Sequence, residues 1–189
     1  MKSKVKRTPI KTLGDLLKWE PYLGQQMRHD LLDIPCPQCI GLKEAPQDLN
    51  ALTLEQLIQL EQIGAQKGVF FAIGEVLLGL TDAQTLQAPA YEMVGLRNMV
   101  VAEQERIAAL FDSLNREPNA DEVMAGIDKL DFGLFGLADW YAKRMHITDH
   151  DVAFKTPWVR IWQCRSNDIQ EAEFERKLQE IQIHKNNNR

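Results

Sequence analysis

The sequence predicts an all-α fold: a multi-helix globular domain preceded by an N-terminal arm. Three observations carry this expectation. Apolar residues recur at intervals of three and four through most of the chain, which places them on one face of successive helices. Threonine and aspartate stand repeatedly where a helix N-terminus needs a side-chain acceptor. The two-residue alternation of Val, Ile and Thr that marks a half-buried strand is missing, so no sheet is expected.

The first helix is expected from Thr12, whose side chain can cap the amides of Gly14 or Asp15, with Leu13, Leu16, Leu17 and Trp19 as its apolar stripe. Pro21 fits a first turn but not a helix interior, so it ends this helix and a second runs through Met27, Leu31 and Leu32. Pro35, Pro37 and Pro46 forbid regular helix, and Ile34 to Asn50 reads as a long loop closing the arm. The expected division is therefore a basic arm with a cysteine and proline loop over 1–50, a helical body over 51–184, and a frayed tail over 185–189.

Within the body, Thr53 and Gln56 have capping-box spacing ahead of Leu54, Leu57, Ile58 and Ile63. Gly64 and Gly68 bracket a break, Val69 to Leu80 is a strongly apolar helix, and Thr81-Asp82 caps the next element. Pro89 opens the longest periodic element. Met93, Val100, Ile107 and Leu114 recur every seventh residue and predict one long helix packed on another, with Glu103 as a polar break facing water beside Gln104 and Arg106. Pro118 and Asn119 end it. Asp121 to Leu130 follows, then a helix through Leu137, Trp140, Tyr141 and Met145, a new start at Thr148-Asp149, and a terminal helix after Pro157 with Phe174, Leu178 and Ile181 on one face. A short internal echo is visible. Leu80-Thr81-Asp82 with Ala88-Pro89 parallels Ile147-Thr148-Asp149 with Thr156-Pro157, each reading as a helix end, a capped short helix and a proline-initiated helix.

Composition narrows the function classes. The 189 residues are 44% apolar and 26% charged, the balance of a globular protein, and no apolar run reaches the length of a bilayer crossing. No apolar segment follows the N-terminal lysines, and three cysteines cannot form a closed disulfide set, so the cytoplasm is expected, that of the host cell if the chain is phage-encoded. The net charge is −5, but Lys2, Lys4, Lys6, Arg7 and Lys11 sit together at the start. Setting those five of the 22 basic residues aside leaves 17 against 27 acidic ones, and an acidic body argues against a nucleic-acid partner.

The chemistry-bearing motifs are few. Cys36 and Cys39 have the spacing of half a zinc site, but the second ligand pair is missing, and neither a metal nor another cofactor is expected. His146 and His150 are four apart, yet Thr148-Asp149 restarts a helix between them. Asp131-Phe132-Gly133 lacks the glycine-rich and catalytic loops that give this tripeptide a metal to hold. No phosphate cradle, nucleophile elbow or isolated carboxylate pair appears, so no catalytic residue is assigned and enzyme activity is not expected. Aromatic residues concentrate instead: Phe132, Phe135, Trp140, Tyr141, Trp158 and Trp162 read as core, or as anchors of a protein-binding groove.

Over residues 52 to 182 the chain resembles the tail assembly chaperones of bacteriophages and prophages. The resemblance is carried by Leu52-Thr53-Leu54-Glu55-Gln56-Leu57-Ile58, Leu80-Thr81-Asp82 with Ala88-Pro89, and Ile127-Asp128-Lys129-Leu130. It continues through Asp139-Trp140-Tyr141-Ala142-Lys143, Thr156-Pro157-Trp158-Val159 and Glu173-Phe174-Glu175-Arg176-Lys177-Leu178. It implies a non-enzymatic protein that binds the tape measure protein, keeps its apolar helices soluble and helps tail-tube subunits polymerise around it. Residues 1 to 50 have no counterpart in that pattern. Under this reading Phe132, Phe135, Trp158 and Trp162 are the expected anchors for a partner helix. The alternatives are a structural component of a phage particle, in the tail, neck or capsid, and a zinc- or thiol-dependent protein centred on Cys36 and Cys39. The sequence sets no oligomeric state.

Overall fold

A computed structural model describes residues 10–115, 118, 120–129 and 133–187. The protein is all-α. Its helices are α1 (Leu13–Trp19), α2 (Gln25–Leu32), α3 (Leu54–Lys67), α4 (Val69–Ala72), α5 (Asp82–Gln87), α6 (Ala90–Asp112), α7 (Ala120–Met124), α8 (Gly133–Arg144), α9 (His150–Phe154) and α10 (Trp158–Asn187). The expectation of no strand is corrected in one place: β1 (Cys39–Ile40) and β2 (Lys43–Glu44) form a small antiparallel hairpin, turned at Gly41 with φ +58°. A two-residue pairing around a glycine turn has too little length for an alternating pattern to show.

The chain divides into two compact units, and the division differs from the expected arm and body. The first comprises the described residues up to Leu49 together with Gln56–Glu105; the second comprises Asn50–Glu55 and the described residues from Arg106 onward. The described part of the segment before Asn50 contributes to a core instead of standing apart as an arm, because Leu13, Leu16, Ile34, Ile40, Ala45 and Leu49 are all buried.

In the first unit Lys11–Leu13 runs antiparallel to Ala88–Ala90 as a short clip. The Leu13 N–H donates to the Ala88 carbonyl at 2.8 Å and the Ala90 N–H to the Lys11 carbonyl at 3.0 Å, while Pro89, which has no N–H, lies between them. Thr12 caps α1 in a reciprocal box with Asp15: the Asp15 N–H donates to Thr12 Oγ1 and the Thr12 N–H to Asp15 Oδ2, each at 3.2 Å. Pro21 sits in a single 3-10 turn that ends the helix.

The proline-rich loop is fastened along one face of α6. Asn98 Nδ2 donates toward the carbonyls of Leu31 at 2.8 Å and of Leu32 and Ile34 at 3.1 Å. The Gly41 N–H donates to Glu92 Oε2 at 3.0 Å, and the Leu49 N–H to Glu103 Oε2 at 3.1 Å. Gly95 is required for this approach, since a Cβ there would stand 2.1 Å from the Pro35 carbonyl oxygen. Glu103 therefore does not simply face water as expected; it breaks the apolar stripe to satisfy a loop amide. Met93 and Val100 are fully buried and Ile107 nearly so, but α6 stops at Asp112 and Leu114 lies beyond it in 3-10 turns that precede Pro118.

In the second unit the same clip recurs. The Leu54 N–H donates to the Thr156 carbonyl at 3.0 Å and the Trp158 N–H to the Leu52 carbonyl at 3.1 Å, with Thr53 opposite Pro157. The echo in the sequence thus marks a repeated construction. In one unit Gly79 at φ +58° follows the π-helical turn Ile73–Leu77 that continues α4, Thr81 caps α5 in a box with Gln84, and α6 begins after Pro89. In the other, His146 at φ +54° ends α8, with the Ile147 N–H on the Ala142 carbonyl at 2.8 Å; Asp149 caps α9, and α10 begins after Pro157. The core of the second unit holds Ile107, Ala138, Tyr141, Ala142, Ala153, Trp158 and Ile161. The tail expected to fray from Lys185 is helical through Asn187.

Candidate protein-interaction surface

The aromatic anchors expected from the sequence separate. Trp158 is 1% exposed, with the Phe111 ring at 6.0 Å and the Arg106 guanidinium at 5.6 Å from its ring centre. It is a core residue and offers no surface to a partner. Trp162 is half-buried and donates from Nε1 to the Leu110 carbonyl at 3.0 Å. Phe135 is 59% exposed, its ring stacked on His150 at 5.4 Å and 6.1 Å from Phe154. Phe132 lies outside the described residues. Burial of Trp158 follows from its position directly after Pro157: the clip fixes its backbone, and the tail of α6 covers its ring.

Beside this core the second unit has a cleft of about 540 Å³, lined among the described residues by Phe111, Leu114, Asn115, Gly133, Gly136, Leu137, Trp140 and Arg165. The Arg165 guanidinium lies 5.1 Å from the Trp140 ring centre, so the aromatic wall on that side is already capped by a cation.

A second apolar feature lies further along α10. Every residue from Gln170 to Asn186 is exposed. On this free stretch Phe174, Leu178 and Ile181, at 67%, 43% and 52% exposure, follow at intervals of four and three and so share one helix face. Glu171 and Lys185 continue the same line at its two ends. Elsewhere on the stretch Glu173 stands four residues before Lys177, a spacing that supports the helix itself. Sequence reading placed these three apolar residues on a common face; that the face is left uncovered is a tertiary fact.

Two titratable pairs and the cysteines define the local electrostatics that the structure describes. Asp139 of α8 accepts from Lys143 Nζ at 2.5 Å and pairs with His150 Nε2 of α9 at 3.1 Å, and the hydrogen bond from Lys143, then that from His150, holds its carboxyl below the ordinary value. His146 and His150 do not share a helix, as expected. Cys36, Cys39 and Cys164 are free thiols. Cys36 is half-buried with its Sγ–H toward the Pro46 carbonyl at 3.5 Å, and burial pushes its thiol pKa up, away from the thiolate that metal binding or nucleophilic attack needs; Cys39 is exposed. Among the described residues no three His, Cys, Asp or Glu side chains come together to hold a metal ion, and no helix is long and apolar enough to cross a membrane.

No protein-family model, curated protein or solved structure matches this chain. The reading of its surface therefore rests on its own residues. Sequence reasoning named Glu103 and His146 without their roles: that of Glu103 is visible only once the Leu49 amide is placed against it, and His146 holds a left-handed backbone more often given to glycine.

Proposed function

We propose that this chain is a non-enzymatic tail assembly chaperone that binds the tape measure protein during phage tail assembly. The observation that carries the reading is the uncovered stripe of Phe174, Leu178 and Ile181 on α10. Single exposed apolar residues are ordinary, but three large ones in line on a free helix form a helix-docking face. A tape measure chain, taken as a succession of long apolar helices, supplies the complementary partner: its apolar stripe lies along α10, and the polar faces of both helices stay in water. The resemblance noted above supports the same assignment, since two of its motifs, Thr156-Pro157-Trp158-Val159 and Glu173 to Leu178, fall on the start and the free stretch of α10. Trp158 is excluded as an anchor and Phe135 remains as an exposed ring beside α9.

Co-expression with a tape measure fragment tests this. The fragment is expected to stay soluble with the native chain and to precipitate with the Phe174→Glu, Leu178→Glu variant, whose own melting transition is retained. Equal solubility with both chains overturns the docking face, and fixed copy number in purified virions overturns the chaperone in favour of a particle component.

A further inference from the structure

We infer that the free stretch of α10 pairs antiparallel with the same stretch of a second copy of this chain, covering the docking face until a partner helix displaces it. The inference concerns the same stripe as the proposed function but does not require the tape measure assignment.

The repeated construction supplies the first argument. Both α6 and α10 start at a clip, directly after a proline, and both run on past the residues that the clip secures. The run-on of α6 is covered: Ile107 is buried and Phe111 lies against Trp158 within the second unit. The run-on of α10 carries a similar stripe, Phe174 and Leu178 spaced like Ile107 and Phe111 with Ile181 three residues on, yet all three of its residues are exposed. An unsupported helix of this length is marginal in water, so a covering helix adds order as well as apolar burial.

The second argument chooses the occupant. A two-fold contact requires a patch that complements itself. Glu171 and Lys185 stand equally far from Leu178 on either side, in line with the stripe. Turning one helix end over end about Leu178 brings Glu171 of each copy toward Lys185 of the other, with Phe174 against Ile181 between them. A parallel pair would set Glu171 on Glu171 and Lys185 on Lys185. The stretch also lacks the strong negative charge that would repel a second copy, since Gln170–Asn187 holds four acidic and three basic residues. Two short helices bury less than the roughly 1,200 Å² of a stable dimer, which sets the association as weak and displaceable.

Sedimentation velocity of the full chain over a concentration series tests this. The native protein is expected to pass from monomer to dimer as concentration rises, and Phe174→Glu with Leu178→Glu to remain monomeric with an unchanged melting transition. Glu171→Lys alone and Lys185→Glu alone are each expected to weaken the dimer by about fivefold, on the order of what two exposed ion pairs supply, and the double exchange to restore it. Restoration by the double exchange reports the antiparallel geometry, which loss of fold cannot imitate. A native chain monomeric throughout the series overturns the pairing while leaving the tape measure reading intact. So does a dimer indifferent to the exchanges.

Discussion

Trp162 of α10 reaches the last turns of α6, where its Nε1 donates to the Leu110 carbonyl across 3.0 Å. That carbonyl is among the final four of a helix, which have no partner within the helix, and it also accepts from Ser113 Oγ at 2.7 Å. Trp162→Phe keeps most of the ring and removes one of the two donors. The expected cost is about 0.5–1.5 kcal/mol in denaturant unfolding, the net value of one hydrogen bond. A change several times larger would mean that the indole ring, rather than its N–H, holds the contact.

Gly74 and Thr85 fit as a pair. A Cβ on Gly74 would stand 2.1 Å from Thr85 Oγ1, and Thr85 is fully buried with its hydroxyl donating to the Thr81 carbonyl at 3.0 Å. Gly74→Ala is expected to destabilise by about 1–3 kcal/mol through overpacking. Adding Thr85→Ala should recover part of that loss, and a double-mutant cycle on the melting data measures the coupling. Additive losses would disprove the pairing.

Acid sensitivity should run through Asp139. Its folded-state pKa lies below its unfolded value because of the Lys143 and His150 hydrogen bonds, so the ionised carboxylate favours the fold above the unfolded value, and this contribution is lost as pH falls through the depressed one. Asp139→Asn is expected to lower the melting temperature at neutral pH and to flatten its decline at acidic pH. Parallel curves for variant and native protein would show that the link between α8 and α9 adds nothing to stability. Asp15, held low by the Thr12 box, leaves some acid sensitivity in either protein.

Local chemistry was the legible part of this fold. Thr12 and Thr81 are legible as caps from residue type and position, while the reciprocal boxes that they close with Asp15 and Gln84 are added by the structure. The seven-residue recurrence of Met93, Val100 and Ile107 likewise located their burial, because period and burial are one property of a packed helix. What sequence could not supply were pairings across long separations. Glu103 showed as a break in a stripe, but its purpose depends on the Leu49 amide. Trp158 and Phe135 looked alike as aromatic candidates, and only the clip and the α6 tail make one core and leave the other on the surface. Phe174, Leu178 and Ile181 had a helix pattern no different from a buried one, since periodicity says which residues share a face and not whether anything lies on it.

The interleaving of the two clips sets an order of events on the ribosome. Leu52 emerges when only about half of the first unit has been made, yet its hydrogen-bond partner is Trp158. Translation at roughly 5–20 residues per second keeps that strand waiting on the order of ten seconds, while Ala88–Ala90 emerges and can close the earlier clip. A nascent chain stalled between Phe111 and Pro157 holds every described segment of the first unit and an unclosed second one, with Phe111 and Ile107 lacking the ring and helix that cover them. The last stretch of synthesis, not the first, decides whether the product leaves the ribosome with its apolar residues sheltered.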